Sequence, residues 1–146
     1  MSDTDGMNYA LSEARLALSE GEIPVGCAIV KAGKVIASAR NHCEALGLIT
    51  SHAEMNALSA VNKYDLRGAT LYVTLEPCPM CAGAIALSGI ARVVFGAYDA
   101  QYGCCGSIYR LTEDPAFPNF CPADGGVLRE ECEALLKTGF ERIRKA

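Results

Sequence analysis

The sequence predicts an α/β fold in three layers, a mixed β-sheet of about five strands with helices on both faces. Three observations predict it. Segments with helical apolar spacing alternate with short β-branched or aromatic runs. The first two apolar runs are adjacent and read as a hairpin, so the sheet is mixed rather than wholly parallel. The 146 residues are 51% hydrophobic and 21% charged, which is ordinary globular usage and excludes disorder. A chain of this size suits one core, and no linker, repeat or low-complexity tract interrupts it, so a single domain over residues 1–146 is expected.

The first helix is predicted to start near Asp3 or Thr4, both competent caps, and to run to about Leu18. Met7, Leu11, Ala14 and Leu18 give it one apolar face, and Gly21 ends it. Residues 27–30 and 35–37 are apolar runs around Lys31-Ala32-Gly33-Lys34, a hairpin pattern. A loop over residues 40–50 and a helix from about His52 to Val61 follow. The β-branched and aromatic run Thr70-Leu71-Tyr72-Val73-Thr74-Leu75 is a buried strand. A helix begins beside Cys78-Pro79 and runs to about Ser88, with Gly89 as its stop. Residues 92–95 form the next strand. The last helix, near residues 128–144, is expected to bury Leu128, Cys132, Leu135, Leu136, Phe140 and Ile143.

Composition limits the function. The net charge is −4 and the pI about 5.2, which argues against a general polyanion binder while leaving room for a local basic patch. No apolar run approaches the ~20 residues of a membrane span. The acidic start, MSDTDGMNYA, does not read as a secretory signal, so a cytoplasmic protein is expected. Its eight cysteines then read as thiols, some of them metal-bound, rather than as a disulfide framework.

The chemistry concentrates in His52-Ala53-Glu54, at one helix start, and in Glu76-Pro77-Cys78-Pro79-Met80-Cys81, where a strand hands over to a helix. Cys78 and Cys81 are one helical turn apart, so both sulfurs can face one point. The helix start favours thiolate, and paired thiolates select a soft or borderline cation, of which zinc is the usual one. His52 would complete three protein ligands, and three plus water is the catalytic arrangement, whereas a structural site closes with four. Glu54 would reach the water without binding the metal and carry its proton. Bland alternatives exist for each feature. Ser51-His52-Ala53-Glu54 matches a capping box, and a C-x-x-C pair alone could be a redox dithiol. H-x-E and P-C-x-x-C together form the more specific pattern of the zinc nucleobase deaminases.

On these motifs the sequence resembles the cytidine/deoxycytidylate deaminase superfamily, and within it the tRNA wobble-adenosine deaminases. The likeness extends through Gly21-Glu22-Ile23-Pro24-Val25-Gly26, Asn41, residues 71–78, Met80-Cys81-Ala82-Gly83-Ala84, residues 92–100 and residues 103–107. The resemblance implies a cytidine deaminase-like fold and one zinc per chain on His52, Cys78 and Cys81. It implies that Glu54 is the proton shuttle, that Asn41 contacts the flipped base or its ribose, and that Asp99 contacts a nearby ribose. It also implies a homodimer. Two segments depart from the family: Leu48-Ile49-Thr50-Ser51 replaces Asp-Pro-Thr-Ala, and Phe117-Pro118-Asn119-Phe120-Cys121 stands where bacterial members carry Phe-Asn-His. Both are expected in loops at the substrate mouth. The end of the chain holds Lys137, Arg142, Arg144 and Lys145 against Glu141, which resembles a basic helix gripping an anticodon stem and equally suits a solvated helix end.

Three functions follow from the sequence. The favoured one is deamination of adenosine to inosine in a tRNA anticodon loop. The alternative is a deaminase of a free nucleobase or nucleoside, guanine, adenine or cytosine. The third is a zinc module without activity, in which Glu54 would have no task.

Overall fold

In the computed structural model, which describes residues 1–145 and of Lys145 the backbone alone, five strands form one mixed sheet. They are β1 (Gly26–Lys31), β2 (Lys34–Arg40), β3 (Thr70–Leu75), β4 (Arg92–Ala97) and β5 (Ala123–Gly125), in the spatial order β2-β1-β3-β4-β5. β1 runs antiparallel to both β2 and β3, while β3, β4 and β5 are parallel. The helices are α1 (Asp3–Ser19), α2 (Cys43–Leu46), α3 (Ala53–Ser59), α4 (Pro79–Ser88) and α5 (Arg129–Lys145). α1 lies across β1 and β3 and meets α5, which packs on β4; α3 packs on β1 and β2 and meets α4. The expected α/β architecture with a five-stranded mixed sheet is therefore present.

The details refine the sequence reading. The cap of α1 is Ser2 rather than Asp3 or Thr4. Its hydroxyl accepts from the Asp5 amide at 3.1 Å, and Asp5 accepts from the Ser2 amide at 3.1 Å, a reciprocal box built with aspartate. Met7, Leu11 and Ala14 are fully buried as expected, and Leu18 only partly. Gly26 lets α1 lie directly on the sheet, because a Cβ there would stand 1.9 Å from the Ala10 carbonyl oxygen. β2 continues to Arg40, and α2 occupies part of the expected 40–50 loop. α3 ends at Ser59, two residues short of Val61.

The expected core face of α5 is corrected at its far end. Cys132 and Leu136 are buried, but Phe140 is 44% and Ile143 47% exposed. The helix leaves the sheet after one more close contact, at Gly139, where a Cβ would meet the Pro24 ring at 2.4 Å. β5 is too short to show a period: only three residues, Ala-Asp-Gly, pair with β4.

Candidate active site

The carboxyl end of β3 delivers Glu76 and Pro77 to Cys78, which is the N-cap of α4, with Pro79 at the first helical position. Proline fixes the helical entry there and lacks the amide that the first turn cannot pair. Cys81 follows one turn on and is fully buried. His52 is the N-cap of α3, with extended backbone (φ −70°, ψ 154°). Two helix starts from distant parts of the chain thus meet, since α3 and α4 are in contact.

The His52 Nδ1 lies 3.5 Å from the Cys78 Sγ and 3.5 Å from the Cys81 Sγ. A tetrahedral zinc with bonds of ≈ 2.3 Å to sulfur and ≈ 2.0–2.1 Å to nitrogen would hold its N and S ligands about 3.5 Å apart. The three donors therefore fit zinc in both type and spacing. Among the described residues this is the one cluster of His, Cys, Asp and Glu close enough to hold a metal, and it contains three ligands, not four. His42, the other histidine, is not in it. The site is of the open kind.

The electrostatics suit a cation. Cys78 is brought down to about 4, chiefly by its hydrogen bond from Cys81 and also by the one to His52. Cys81 is raised, by the same bond to Cys78 and by burial. His52 is raised by its bond to Cys78. Negative charge is thus already concentrated on Cys78 within this cluster.

Glu54 is 4% exposed, and burial pushes its carboxyl up to about 7. The capping-box alternative does not form. It requires Ser51 as the N-cap with Glu54 at the third helical position, but His52 is the N-cap and Glu54 falls at the second. The Ser51 hydroxyl donates instead to Asn56 Oδ1 at 3.2 Å. Glu54, His52 and Cys78 all face a cavity of about 750 Å³, large enough for a nucleoside. It opens at the carboxyl end of β3, where ligands of open α/β sheets gather.

Asn41 and Asp99 also line this cavity. Asn41 is buried; its Nδ2 donates to the Ile23 carbonyl and its Oδ1 accepts from the Cys43 amide, both at 3.4 Å. Asp99 turns Oδ1 inward to accept from the Gln101 and Tyr102 amides at 2.9 and 3.2 Å. Of the two unusual segments, the first reaches the cavity through Ile49, which is 87% exposed. The second does not: Asn119 donates to the Ala86 carbonyl at the far end of α4, and none of residues 117–121 lines the cavity. That expectation is corrected because the segment packs against the end of α4 and not its start.

Sequence reading missed several residues around the cavity. Phe140 and Leu136 of α5 form part of its wall, as do Tyr98 and Tyr102. Glu76 stands in the Cys motif, yet its burial at 2% exposure gives it a role the motif does not state. An acid directly after an apolar strand was the available signal. Arg142 and Arg144 are exposed on the same helix as Phe140, and the side chain of Lys145 lies outside the described residues. Among the described residues no helix is long and apolar enough to cross a membrane.

Comparison with known proteins agrees with this geometry. Residues 1–97 match the profile of the cytidine and deoxycytidylate deaminase zinc-binding region. A tRNA-specific adenosine deaminase of Bacillus subtilis (strain 168) is 44% identical over 143 residues, covering 95% of this chain and 89% of that protein. One from Aquifex aeolicus (strain VF5) is 39% identical over 142 residues, covering 94% and 93%. Among solved structures, a chain from a study of A-to-I editing by tRNA:A34 deaminases at the wobble position of transfer RNA superposes with a TM-score of 0.85 at 36% identity. It covers 90% of this chain and 99% of that one. A guanine deaminase from Nitrosomonas europaea shares the fold, with a TM-score of 0.80 at 23% identity over 94% of this chain and 84% of that one.

Proposed function

Because the chain belongs to the cytidine and deoxycytidylate deaminase family, we propose that it is a zinc-dependent hydrolase converting adenosine to inosine at the wobble position of a tRNA anticodon loop. We assign this to one domain over residues 1–146, acting as a homodimer in the cytoplasm. The observation that carries the chemistry is the buried Glu54 on the same cavity as the His52–Cys78–Cys81 cluster, in a register that does not form the Ser51–Glu54 capping box. Similarity across nearly the whole chain to tRNA-specific adenosine deaminases supports the substrate.

The reaction adds water at C6 of adenine and releases ammonia. His52, Cys78 and Cys81 would hold the zinc, which when bound would supply the Lewis acidity that makes water acidic enough to attack near neutral pH. Glu54 takes one proton from the attacking water to the ring N1, then carries the second, from the new C6 hydroxyl, to the amine as the C6–N bond breaks, leaving the C6 carbonyl of inosine and ammonia. A carboxyl near neutrality is suited to both receiving and returning a proton. The apolar walls from Ile23, Val25 and Leu75 keep bulk water from the base. We assign Asn41 to the base or its ribose and Asp99 to a neighbouring ribose. RNA loops offer unstacked bases that aromatic side chains can receive, which suits Tyr98, Tyr102 and Phe140 on the rim.

The test is incubation with an anticodon stem-loop and, separately, with free adenosine, guanine and cytosine. Inosine should form at the wobble position of the stem-loop, with little turnover of the free compounds. Replacing Arg142 and Arg144 by alanine should raise the KM for RNA and flatten its salt dependence, because fewer counterions are released. Rapid turnover of guanine or cytosine with an untouched stem-loop would replace this reading with a free-base deaminase.

A further inference from the structure

Glu76 is the most heavily hydrogen-bonded side chain near the cavity, and the deamination chemistry does not use it. It is 2% exposed at the end of β3, where its amide donates to the Ala97 carbonyl at 2.8 Å. Its Oε1 accepts from the Asp99 amide at 3.0 Å and from the Ser107 hydroxyl; its Oε2 accepts from the amides of Cys105 at 3.0 Å and Ser107 at 2.9 Å. All four donors belong to one loop, residues 99–107. The loop folds tightly onto the carboxylate. At Gly103 a Cβ would stand 2.4 Å from Glu76 Cδ and 2.5 Å from the Asp99 carbonyl oxygen. The outer side of the same loop, with Asp99, Gln101 and Tyr102, lines the cavity beside Tyr98.

We propose that Glu76 is a positioning residue for substrate binding, holding residues 99–107 as a ready-shaped cavity wall that receives the nucleotides flanking the target base. The physical ground is that a loop ordered before binding does not have to be ordered by the substrate. Without the carboxylate, three loop amides would lose a buried acceptor, and the wall would need to form on each encounter. The claim rests on the RNA reading above, since a free base has no flanking nucleotides.

The test uses zinc-loaded full-length protein and an anticodon stem-loop. Glu76→Gln keeps the size but turns one oxygen into a donor that faces donors. It should raise KM about tenfold and leave kcat within about threefold, with zinc content unchanged. Hydrogen exchange at the amides of Asp99, Cys105 and Ser107 should accelerate in the same variant. Ser107→Ala removes one donor without disturbing the carboxylate. It should move KM in the same direction by two- to threefold, which keeps the claim testable if Glu76→Gln fails to fold. An unchanged KM with faster exchange would make Glu76 merely structural and overturn the proposal. A fall in kcat together with zinc loss would overturn it as well, by placing the effect at Cys78. Failure of the RNA reading is distinguishable, because the unaltered enzyme would then leave the stem-loop untouched.

Discussion

Glu54 is the residue on which enzyme and zinc module differ. Its position at the second residue of α3, two residues after His52, puts an acid beside the cluster with almost no solvent. Glu54→Gln retains the shape and the fold but cannot carry a proton. Turnover should fall at least ~100-fold, the usual weight of a positioned acid–base group, while zinc content and melting temperature stay near those of the unaltered protein. A rate and a melting curve on the same preparation decide it. A loss of stability with normal turnover would restore the capping role that the register speaks against.

At the scale of elements, α1 is fixed to the sheet by two devices of different kinds. The first is close approach at Gly26. The obstruction to a Cβ there is the α1 backbone, which cannot rotate away as a side chain would. Gly26→Ala should therefore destabilise the fold by about 3 kcal/mol, at the upper end of overpacking effects. A shift in the urea midpoint at constant slope would measure this. The second device is ionic. Arg92 of β4 donates to both oxygens of Asp3 at 2.8 and 2.7 Å, the Tyr72 hydroxyl donates to Oδ1 at 2.9 Å, and Arg92 also reaches Asp124. The Arg92 hydrogen bond holds the Asp3 carboxyl below its usual range, with the Tyr72 bond adding to it. A depressed folded-state pKa gives stability that is present above the ordinary aspartate value and is lost as pH falls through the folded one. The gap in melting temperature between the native chain and Asp3→Asn should be constant at neutral pH and close below about pH 4. A gap that widens on acidification would exclude the ion pair as its source. Both partners are about one-third exposed, so solvent screens the pair and the effect should be modest.

At the scale of the whole molecule, the zinc cluster ties segments far apart in sequence. His52 sits 26 and 29 residues before Cys78 and Cys81, and its helix rests on β1 and β2 while α4 follows β3. Metal bound across such a tie stabilises only the folded state. Cys81→Ala should thus lose the zinc equivalent and much of the soluble yield together, and a chelator should lower the melting temperature of the unaltered protein. Elemental analysis showing a full equivalent in Cys81→Ala would remove that residue from the site. The two results separate a metal that supports the fold from one that serves the reaction alone.

Much is legible in the sequence alone, because local rules govern those features. Helical spacing gave α1, the Pro-and-Gly bracket gave α4, and β-branched residues gave β3; Cys78 and Cys81 face one point because one helical turn requires it. The identity of the third ligand came from a motif pattern, and the fold supplied the reason by bringing two helix starts together. What sequence could not decide were matters of one residue or of long range. Whether Glu54 caps or faces the cavity turned on whether Ser51 or His52 ends the extended chain, a shift of one position that local propensity does not resolve. Phe140 continued the apolar period of α5 but lies beyond the sheet, where periodicity says which face is apolar and not what will cover it. The segment 117–121 went to the end of α4 because Asn119 found a carbonyl there. Glu76 appears in sequence only as an acid beside a metal motif; its four donors arrive from a loop some 23 to 31 residues later. Sequence determined the elements and the chemistry of the donors, since both depend on neighbours along the chain. Tertiary structure alone decided which side chains share the cavity, since that depends on contacts between segments whose approach only the packed sheet defines.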